Sequence, residues 1–179
     1  IKIPPYNLNM GEFFMKLKNL IWGFIIIGIV GTLGHFLYKW TGENTLVGYF
    51  FPVNESTWEH LKLLFFPTAL FTLIEYFIIK DKDGYVPAAA LSLIVGLISI
   101  VALFYTYSGV LGFKIEWFNI AIYYIALIIM LVLKNLFLQS NIVNGRFATL
   151  VSLVWFFAMA IMFVIFTYNP LDLGIFKEP

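Results

Sequence analysis

Five long apolar runs divide the chain, and short polar segments separate them. Each run is close to about 20 residues, the length of helix that crosses the hydrocarbon core of a bilayer. The pattern therefore predicts an all-α fold, a polytopic transmembrane helical bundle of about five spans within one membrane domain, residues 1–179. The predicted spans are residues 20–37, 61–79, 87–107, 117–138 and 147–168.

The distribution of lysine and arginine predicts how the bundle is oriented. With the N-terminus inside and the C-terminus outside, the basic residues divide seven to four in favour of the cytoplasmic side, as the positive-inside rule requires. The protein is then a multi-pass protein of the cell membrane. The seven inner basic residues are Lys2, Lys16, Lys18, Lys80, Lys82, Lys134 and Arg146, and the four outer ones are Lys39, Lys62, Lys114 and Lys177.

Composition supports the membrane assignment and removes several classes of function. Hydrophobic residues make up 61% of the chain and charged residues 12%, whereas soluble domains have about 25% charged residues. The absence of cysteine excludes disulfides and thiolate metal sites. A net charge of +1 lacks the basic surface of a nucleic-acid binder. Membrane lipid is therefore the expected environment, and no nucleic-acid partner is expected.

The connections between the predicted spans differ in character. The segments "KDKDGYVP" and "QSNIVNG" are short polar turns in which Gly84 and Gly145 are predicted to stop helices. The segment 39–57 is longer and rich in aromatic residues, and it lies on the predicted outer side. We expect this aromatic loop to lie in the membrane interface or to dip back between helices.

The start of the second span carries a helix-capping pattern. Ser56 and Glu59 have the spacing of a capping box, which would satisfy the first free amides of that helix. Acidic residues also suit a helix N-terminus, so Glu59 and Glu55 both have a purely structural explanation. Trp58 is then expected to anchor at the interface, and Lys62 to snorkel or to form an ion pair.

His35 and His60 are the only histidines, and the threading brings them to the outer ends of the first two spans. Beside carboxylates they supply nitrogen and oxygen ligands that suit zinc or another divalent metal. Three interpretations stay open: a metal held by His35, Glu55 and His60, a site for a proton or substrate, or histidines that only form hydrogen bonds. The candidate ligand or ion site comprises His35, Asn54, Glu55, Glu59 and His60.

The segment "PVNESTWEHLKLLFFP", preceded by "GHFLYKW", resembles the hallmark of a family of small, uncharacterised integral membrane proteins of Gram-positive bacteria. The ending "TYNPLDLGIF" is compatible with the same family. The resemblance implies a membrane location and a bacterial origin. It marks the five candidate site residues as motif positions, and it implies no mechanism.

Two further patterns concern helix packing. Gly28, Gly31, Thr32 and His35 fall within about 100° around the first span, a stripe of small residues that predicts close approach of another helix. Pro67 in the second span leaves the carbonyl of Leu63 without its helical donor. Irregularity of this kind is found where a membrane helix lines a cavity.

Two charges lie inside the predicted spans at similar depth. Glu75 and Lys134 are each about four residues, or about 6 Å, from the predicted cytoplasmic end of their span. An unpaired charge at that depth costs on the order of 2 to 3 kcal/mol, so an intramembrane pair is the main hypothesis. The alternative is that Lys134 snorkels to the headgroups and Glu75 reaches the region of Lys80.

These features favour an integral membrane protein for transport or for small-ligand or ion binding at the outer His/Glu site. Glu75 and Lys134 would then form an inner gate or counter-ion pair. The first alternative is a membrane-embedded, metal-dependent hydrolase, in which a divalent metal such as zinc activates water. The second is a non-catalytic subunit of a membrane complex, or a homo-oligomer, that docks through the small-residue stripe. The expected partner is a small molecule or ion.

Overall fold

The computed structural model describes residues 10–79, 82–140 and 143–178, with side chains from residue 18 onwards. Within these residues the fold is entirely helical, which confirms the predicted class. Lys2, Lys80 and the side chain of Lys16, which entered the predicted orientation, lie outside the described parts. The elements are α1 (Met10–Trp40), α2 (Thr45–Gly48), α3 (Thr57–Ile78), α4 (Tyr85–Leu111), α5 (Glu116–Ser140), α6 (Arg146–Tyr168) and a 3₁₀ helix (Gly174–Phe176).

Five of the described helices are long and apolar enough to cross a membrane, as the sequence predicted. They are the Lys18–Trp40 part of α1 and the whole of α3, α4, α5 and α6. Most helix ends extend beyond the predicted spans. For example, α4 comprises Tyr85–Leu111, whereas the predicted span was 87–107. Polar residues and glycine near these ends, such as Ser108 and Gly109 of α4, end the apolar run that a hydropathy pattern detects, but the helix continues past them.

Each of the five long helices contributes a fully buried apolar side chain to one core. The buried side chains are Ile27, Leu64, Leu93, Leu127 and Phe163, each with 0% exposure. Small residues let the helices approach, as at Gly96, where Leu64 and Met130 pack against the glycine. Many large apolar side chains on the outer faces are exposed, as expected for helices that face lipid.

The small-residue stripe of α1 packs against tyrosines of α5 as well as against α3. A methyl group added at Gly31 would collide with the Tyr123 hydroxyl and the Leu63 carbonyl. The Tyr123 hydroxyl donates its single proton to the carbonyl of Ile27 at 2.9 Å and shares it with the carbonyl of Leu63 at 3.4 Å. Leu63 is the residue whose carbonyl Pro67 leaves without a helical donor, so Tyr123 partly compensates for the missing amide.

The aromatic segment between α1 and α3 is fixed against the bundle. Its helix α2 is capped by the Asn44 side chain, which accepts from the Leu46 amide at 2.9 Å. The Tyr168 hydroxyl of α6 donates to the Thr45 carbonyl at 3.3 Å. The segment therefore lies against the end of the bundle that holds His35 and His60, called the histidine end below.

The two glycines that were predicted to stop helices instead precede them. Gly84 has a φ of 66° and lies just before α4, and Gly145 has a φ of 112° and lies just before α6. The preceding helix α3 ends at Ile78. The prediction was therefore wrong about which helix each glycine bounds, because a positive φ serves a turn equally well on either side of a helix.

Candidate functional site

Three hydrogen bonds form the turn that starts α3. Ser56 is the N-cap, and its hydroxyl accepts from the Glu59 amide at 3.4 Å. The Asn54 side chain accepts from the Ser56 amide at 3.0 Å. The Glu59 carboxylate does not complete a capping box, because it accepts from the Val53 amide at 3.0 Å instead. These bonds set the position of Glu55 relative to the first turn of α3.

His60 is oriented by the same turn. Its Nδ1 lies 2.9 Å from the Ser56 carbonyl, which can only accept, so Nδ1 carries the proton of this bond. The other ring nitrogen, Nε2, lies 3.3 Å from Glu55 Oε2. A histidine fixed through Nδ1 to a backbone carbonyl presents Nε2 as its ligand atom, the arrangement common in metal sites.

His35 on α1 lies beside this pair. Its ring centroid is 5.2 Å from that of His60. Among the described residues, its buried Nδ1 has no hydrogen-bond partner. One ligand atom from each of His35, Glu55 and His60 lies within 4.8 Å of the other two. These three predicted site residues are thus brought together across a single connection.

Glu55 is the most exposed of the three, with 52% of its side chain accessible. The hydrogen bond from His60 lowers the pKa of Glu55 to about 2 from its ordinary value of 4.5, against the opposing effect of partial burial. Glu55 is therefore a carboxylate at neutral pH. That is the protonation state in which a carboxyl group binds a cation.

A pocket of about 430 Å³ adjoins the three side chains and is called the histidine pocket here. Its polar lining includes Lys114, Glu116 and Asn119, which follow the end of α4 and begin α5. Its apolar lining comes from α3, α4 and α5. The remaining lining residues are Thr57, Leu63, Ile100, Phe104, Ile120, Ile122 and Tyr123.

Glu59 lies in a separate cluster on the other side of the α3 N-terminus. Its Oε2 pairs with Lys62 Nζ at 2.7 Å, and both side chains are buried. Lys62 Nζ also donates to the Gly48 carbonyl at 2.8 Å and to the Thr167 hydroxyl at 2.5 Å. Of the two predicted options for Lys62, snorkelling or an ion pair, the structure shows the ion pair. The cluster joins the aromatic segment to α3 and α6.

Of the five predicted site residues, Asn54 and Glu59 therefore do not join the His35–Glu55–His60 group. Both side chains accept hydrogen bonds from backbone amides in the turn that precedes α3. Trp58, predicted as an interfacial anchor, packs against Phe163 and Phe176 with ring centroids 4.7 and 4.8 Å away. These residues support the site and do not line its pocket.

At the opposite end of the bundle, Glu75 and Lys134 are in contact. Lys134 Nζ lies 2.6 Å from Glu75 Oε2 and 2.8 Å from the Tyr85 hydroxyl. Tyr85 donates to the same carboxylate oxygen at 2.5 Å. This lysine triad of Glu75, Tyr85 and Lys134 adjoins two cavities of about 190 and 350 Å³. It shares no side chain with the histidine pocket.

Sequence reasoning missed Tyr85 as the third member of the triad, and it missed Lys114, Glu116 and Asn119 in the histidine pocket. A usable signal existed for each of them. In an antiparallel bundle the start of the third span lies beside the end of the second. By the same alternation, the turn between the third and fourth spans lies at the end that holds the histidines.

Comparison with known families matches residues 9–179 to a family of unknown function, DUF6512. Neither the comparison with curated proteins nor the comparison with solved structures gives a match. The family match covers the histidine pocket, the lysine triad and all five helices that are long and apolar enough to cross a membrane.

Proposed function

The chain belongs to the DUF6512 family, and we propose that it is an integral membrane protein that binds a divalent cation, zinc above all, in the histidine pocket. The observation that carries the proposal is the convergence of His35, Glu55 and His60, with ligand atoms within 4.8 Å of one another. Two imidazoles and one carboxylate form a ligand set that zinc uses in proteins. His35, Glu55 and His60 are the proposed metal ligands.

The distances support a site that closes around the ion. Ligand atoms around a tetrahedral zinc with bonds of about 2.1 Å lie roughly 3.4 Å apart. The Nε2 of His60 and the Oε2 of Glu55 are already 3.3 Å apart. The ligand atom of His35 lies within 4.8 Å of the other two and would have to come closer by up to about 1.4 Å. The ion would then occupy the place of a proton shared between His60 and Glu55.

The test is to measure metal content and affinity in the purified protein. The wild-type protein should bind one zinc ion per chain, and His35→Ala, His60→Ala and Glu55→Gln should each lower the affinity by at least tenfold. Glu178→Gln serves as the matched carboxylate control, because Glu178 is exposed and does not line the pocket. Equal zinc binding by all these variants would refute the proposal.

A second control separates metal binding from helix capping. Ser56→Ala removes the side-chain acceptor at the start of α3 and should cost about 1 kcal/mol of stability. It leaves the three proposed ligands in place, so a folded Ser56→Ala protein should retain its zinc. A loss of zinc in that variant equal to the loss in His60→Ala would mean that the ligand variants act through the fold.

Hydrolysis is the second candidate function, and the presence of Glu116 in the pocket favours it. Catalytic zinc sites have three protein ligands and leave one position for water. Glu116 lies in the pocket outside the three-ligand group, where it would accept a proton from a water molecule that attacks a bound ester or amide. Glu116→Gln should then retain zinc but lose hydrolysis of such a substrate. In a protein that only binds or transports zinc, the same substitution should leave zinc binding or uptake unchanged.

Transport would use the cavities at the two ends of the bundle. The histidine pocket and the cavities beside the lysine triad lie at opposite ends, with the buried core between them. A transported ion would have to pass this core through a rearrangement of the helices. Accumulation of zinc by proteoliposomes distinguishes transport from binding alone.

The proposed location is the cell membrane of a bacterium, with the histidine pocket on the outer side. The first support is the excess of basic residues that the predicted orientation places inside. The second is the "PVNESTWEHLK" segment, which we propose as the motif of these proteins and whose resemblance to small membrane proteins of Gram-positive bacteria supports a bacterial origin.

A further inference from the structure

The histidine pocket is larger and more apolar than a site for a metal ion alone requires. Its volume of about 430 Å³ lies in the range of about 300 to 1,000 Å³ that is typical of sites for organic ligands. The lining residues Leu63, Ile100 and Ile122 are aliphatic and nearly buried, with 7%, 7% and 3% exposure. Water against these three side chains would find no hydrogen-bonding group on them.

Polar and apolar linings occupy different parts of the pocket. Glu55, Lys114 and Glu116 are exposed residues at the histidine end. The aliphatic residues Leu63 on α3, Ile100 on α4 and Ile122 on α5 are buried. The pocket thus passes from a charged, accessible part beside the proposed metal ligands to a hydrocarbon-like part between the helices. A molecule that fills it must itself have a charged end and an apolar end.

The charge balance specifies the charged end. With a divalent cation bound and both histidines neutral, the charges of the ion and Lys114 exceed those of the lining carboxylates Glu55 and Glu116 by one unit. Lys39 on α1, which acts on His35 and Glu55 from outside the lining, adds further positive charge. A ligand with a negatively charged end offsets this excess. Three protein ligands also leave a coordination position for an oxygen of that ligand.

From these features we infer that the histidine pocket binds a monoanionic acid on a hydrocarbon chain, with the carboxylate-type head on the metal and beside Lys114. The chain lies along Phe104 and the aliphatic residues Leu63, Ile100, Ile120 and Ile122. Ile120 on α5 lines the pocket and is 58% exposed, so longer chains extend past it into the bilayer. This inference rests on the proposed function, because the head binds to the cation.

The test uses the protein in nanodiscs, loaded with Co²⁺, whose visible absorption changes when a carboxylate joins its coordination shell. Acetate, butyrate and hexanoate are titrated separately, with protein-free nanodiscs as the blank. Burial of each methylene should increase affinity about fourfold. Hexanoate should therefore bind roughly 200-fold more tightly than acetate if all four additional methylenes enter the pocket.

Two variants test which residues of the pocket contact the hydrocarbon chain and which contact the acidic head. Phe104→Ala should reduce the gain in affinity per methylene while Co²⁺ binding stays stoichiometric, and Phe157→Ala is its matched control, since Phe157 is 70% exposed on α6 outside the pocket. Lys114→Met should weaken all three acids by a similar factor and leave the dependence on chain length unchanged. Lys177→Met, at an exposed site outside the pocket, should change neither the affinity for the acids nor its dependence on chain length.

The outcomes separate this inference from the function on which it rests. If Co²⁺ binds but the three acids bind equally, the apolar part of the pocket does not hold a chain. The inference then fails and the metal site stands. If neither Zn²⁺ nor Co²⁺ binds, the proposed function fails and the inference fails with it. An equal dependence on chain length in Phe104→Ala and in the unaltered protein would also overturn the inference.

Discussion

The ammonium group of Lys134 on α5 lies 2.6 Å from the Glu75 carboxylate on α3, and the Tyr85 hydroxyl forms hydrogen bonds to both. The side chains of Lys134 and Glu75 are only 11% and 14% exposed. At this depth neither charge has adequate solvation without the other, so the pair should behave as a unit.

We predict that Glu75→Gln and Lys134→Met will each destabilise the protein in detergent by about 3 to 5 kcal/mol, because each leaves one buried charge unpaired. The double variant should be more stable than either single variant. The measurement is a double-mutant cycle on the free energy of unfolding, with Tyr85→Phe expected to cost about 1 kcal/mol for a lost hydrogen bond. Additive effects would show that the two charges do not interact.

The sequence was sufficient for the helices because their existence depends on local composition. An apolar run of about 20 residues has few alternatives to a membrane-spanning helix. The proximity of His35 and His60 also followed from the chain, because one connection joins the helix ends on which they lie. The metal set of His35, Glu55 and His60 was likewise a hypothesis from the sequence, but the ring separation of 5.2 Å and the 3.3 Å contact between His60 and Glu55 required the actual turn.

Glu59 shows why the rest of the site was not predictable. Its spacing from Ser56 allows a capping box, and its place beside Glu55 and His60 allows a ligand. The structure instead pairs it with Lys62, which also contacts Thr167, 105 positions further along the chain. The Glu59 carboxylate has three acceptable partners: the N-cap amide, a bound cation or Lys62. Which one it takes depends on the residues of distant helices that meet there. A local pattern does not contain that information.

The contact of α1 with Tyr123 gives a prediction with an internal control. Gly31→Ala places a methyl group against the Tyr123 hydroxyl and the Leu63 carbonyl, and should destabilise the protein by several kcal/mol by separating the helices. Gly109→Ala on α4 meets no atom within 4 Å and should stabilise the helix by about 0.5 to 1 kcal/mol. The midpoint of thermal unfolding in detergent measures both, and equal shifts would contradict the close contact.

The buried pair of Lys62 and Glu59 should matter far more than the surface pair of Lys177 and Asp172, although both are 2.7 Å apart. Lys62→Met leaves a buried carboxylate without its cation and should cost about 3 to 5 kcal/mol. Lys177→Met breaks a pair that is 65% and 91% exposed and should change stability by less than about 1 kcal/mol.

The double variant Lys62→Met with Glu59→Gln tests the reason for that difference. With both charges removed, most of the lost stability should return, since no unpaired ion stays buried. Unfolding by denaturant in detergent gives the three free energies. If the double variant is as unstable as Lys62→Met alone, the lysine acts through its bonds to Gly48 and Thr167 and its charge is secondary.

The last prediction concerns which side of the membrane the histidine pocket faces. Seven basic residues against four favour a cytoplasmic N-terminus, which places the connection before α4 inside and the connection before α5 outside. Reporter fusions at Lys82 and Lys114 should therefore read inside and outside respectively. Because Lys114 lines the histidine pocket, a membrane-impermeant chelator added to intact cells should then remove the proposed zinc ion. If the reporters read the opposite way and the chelator does not remove the zinc, the pocket lies on the cytoplasmic side. If both reporters read the same side, α4 does not cross the membrane.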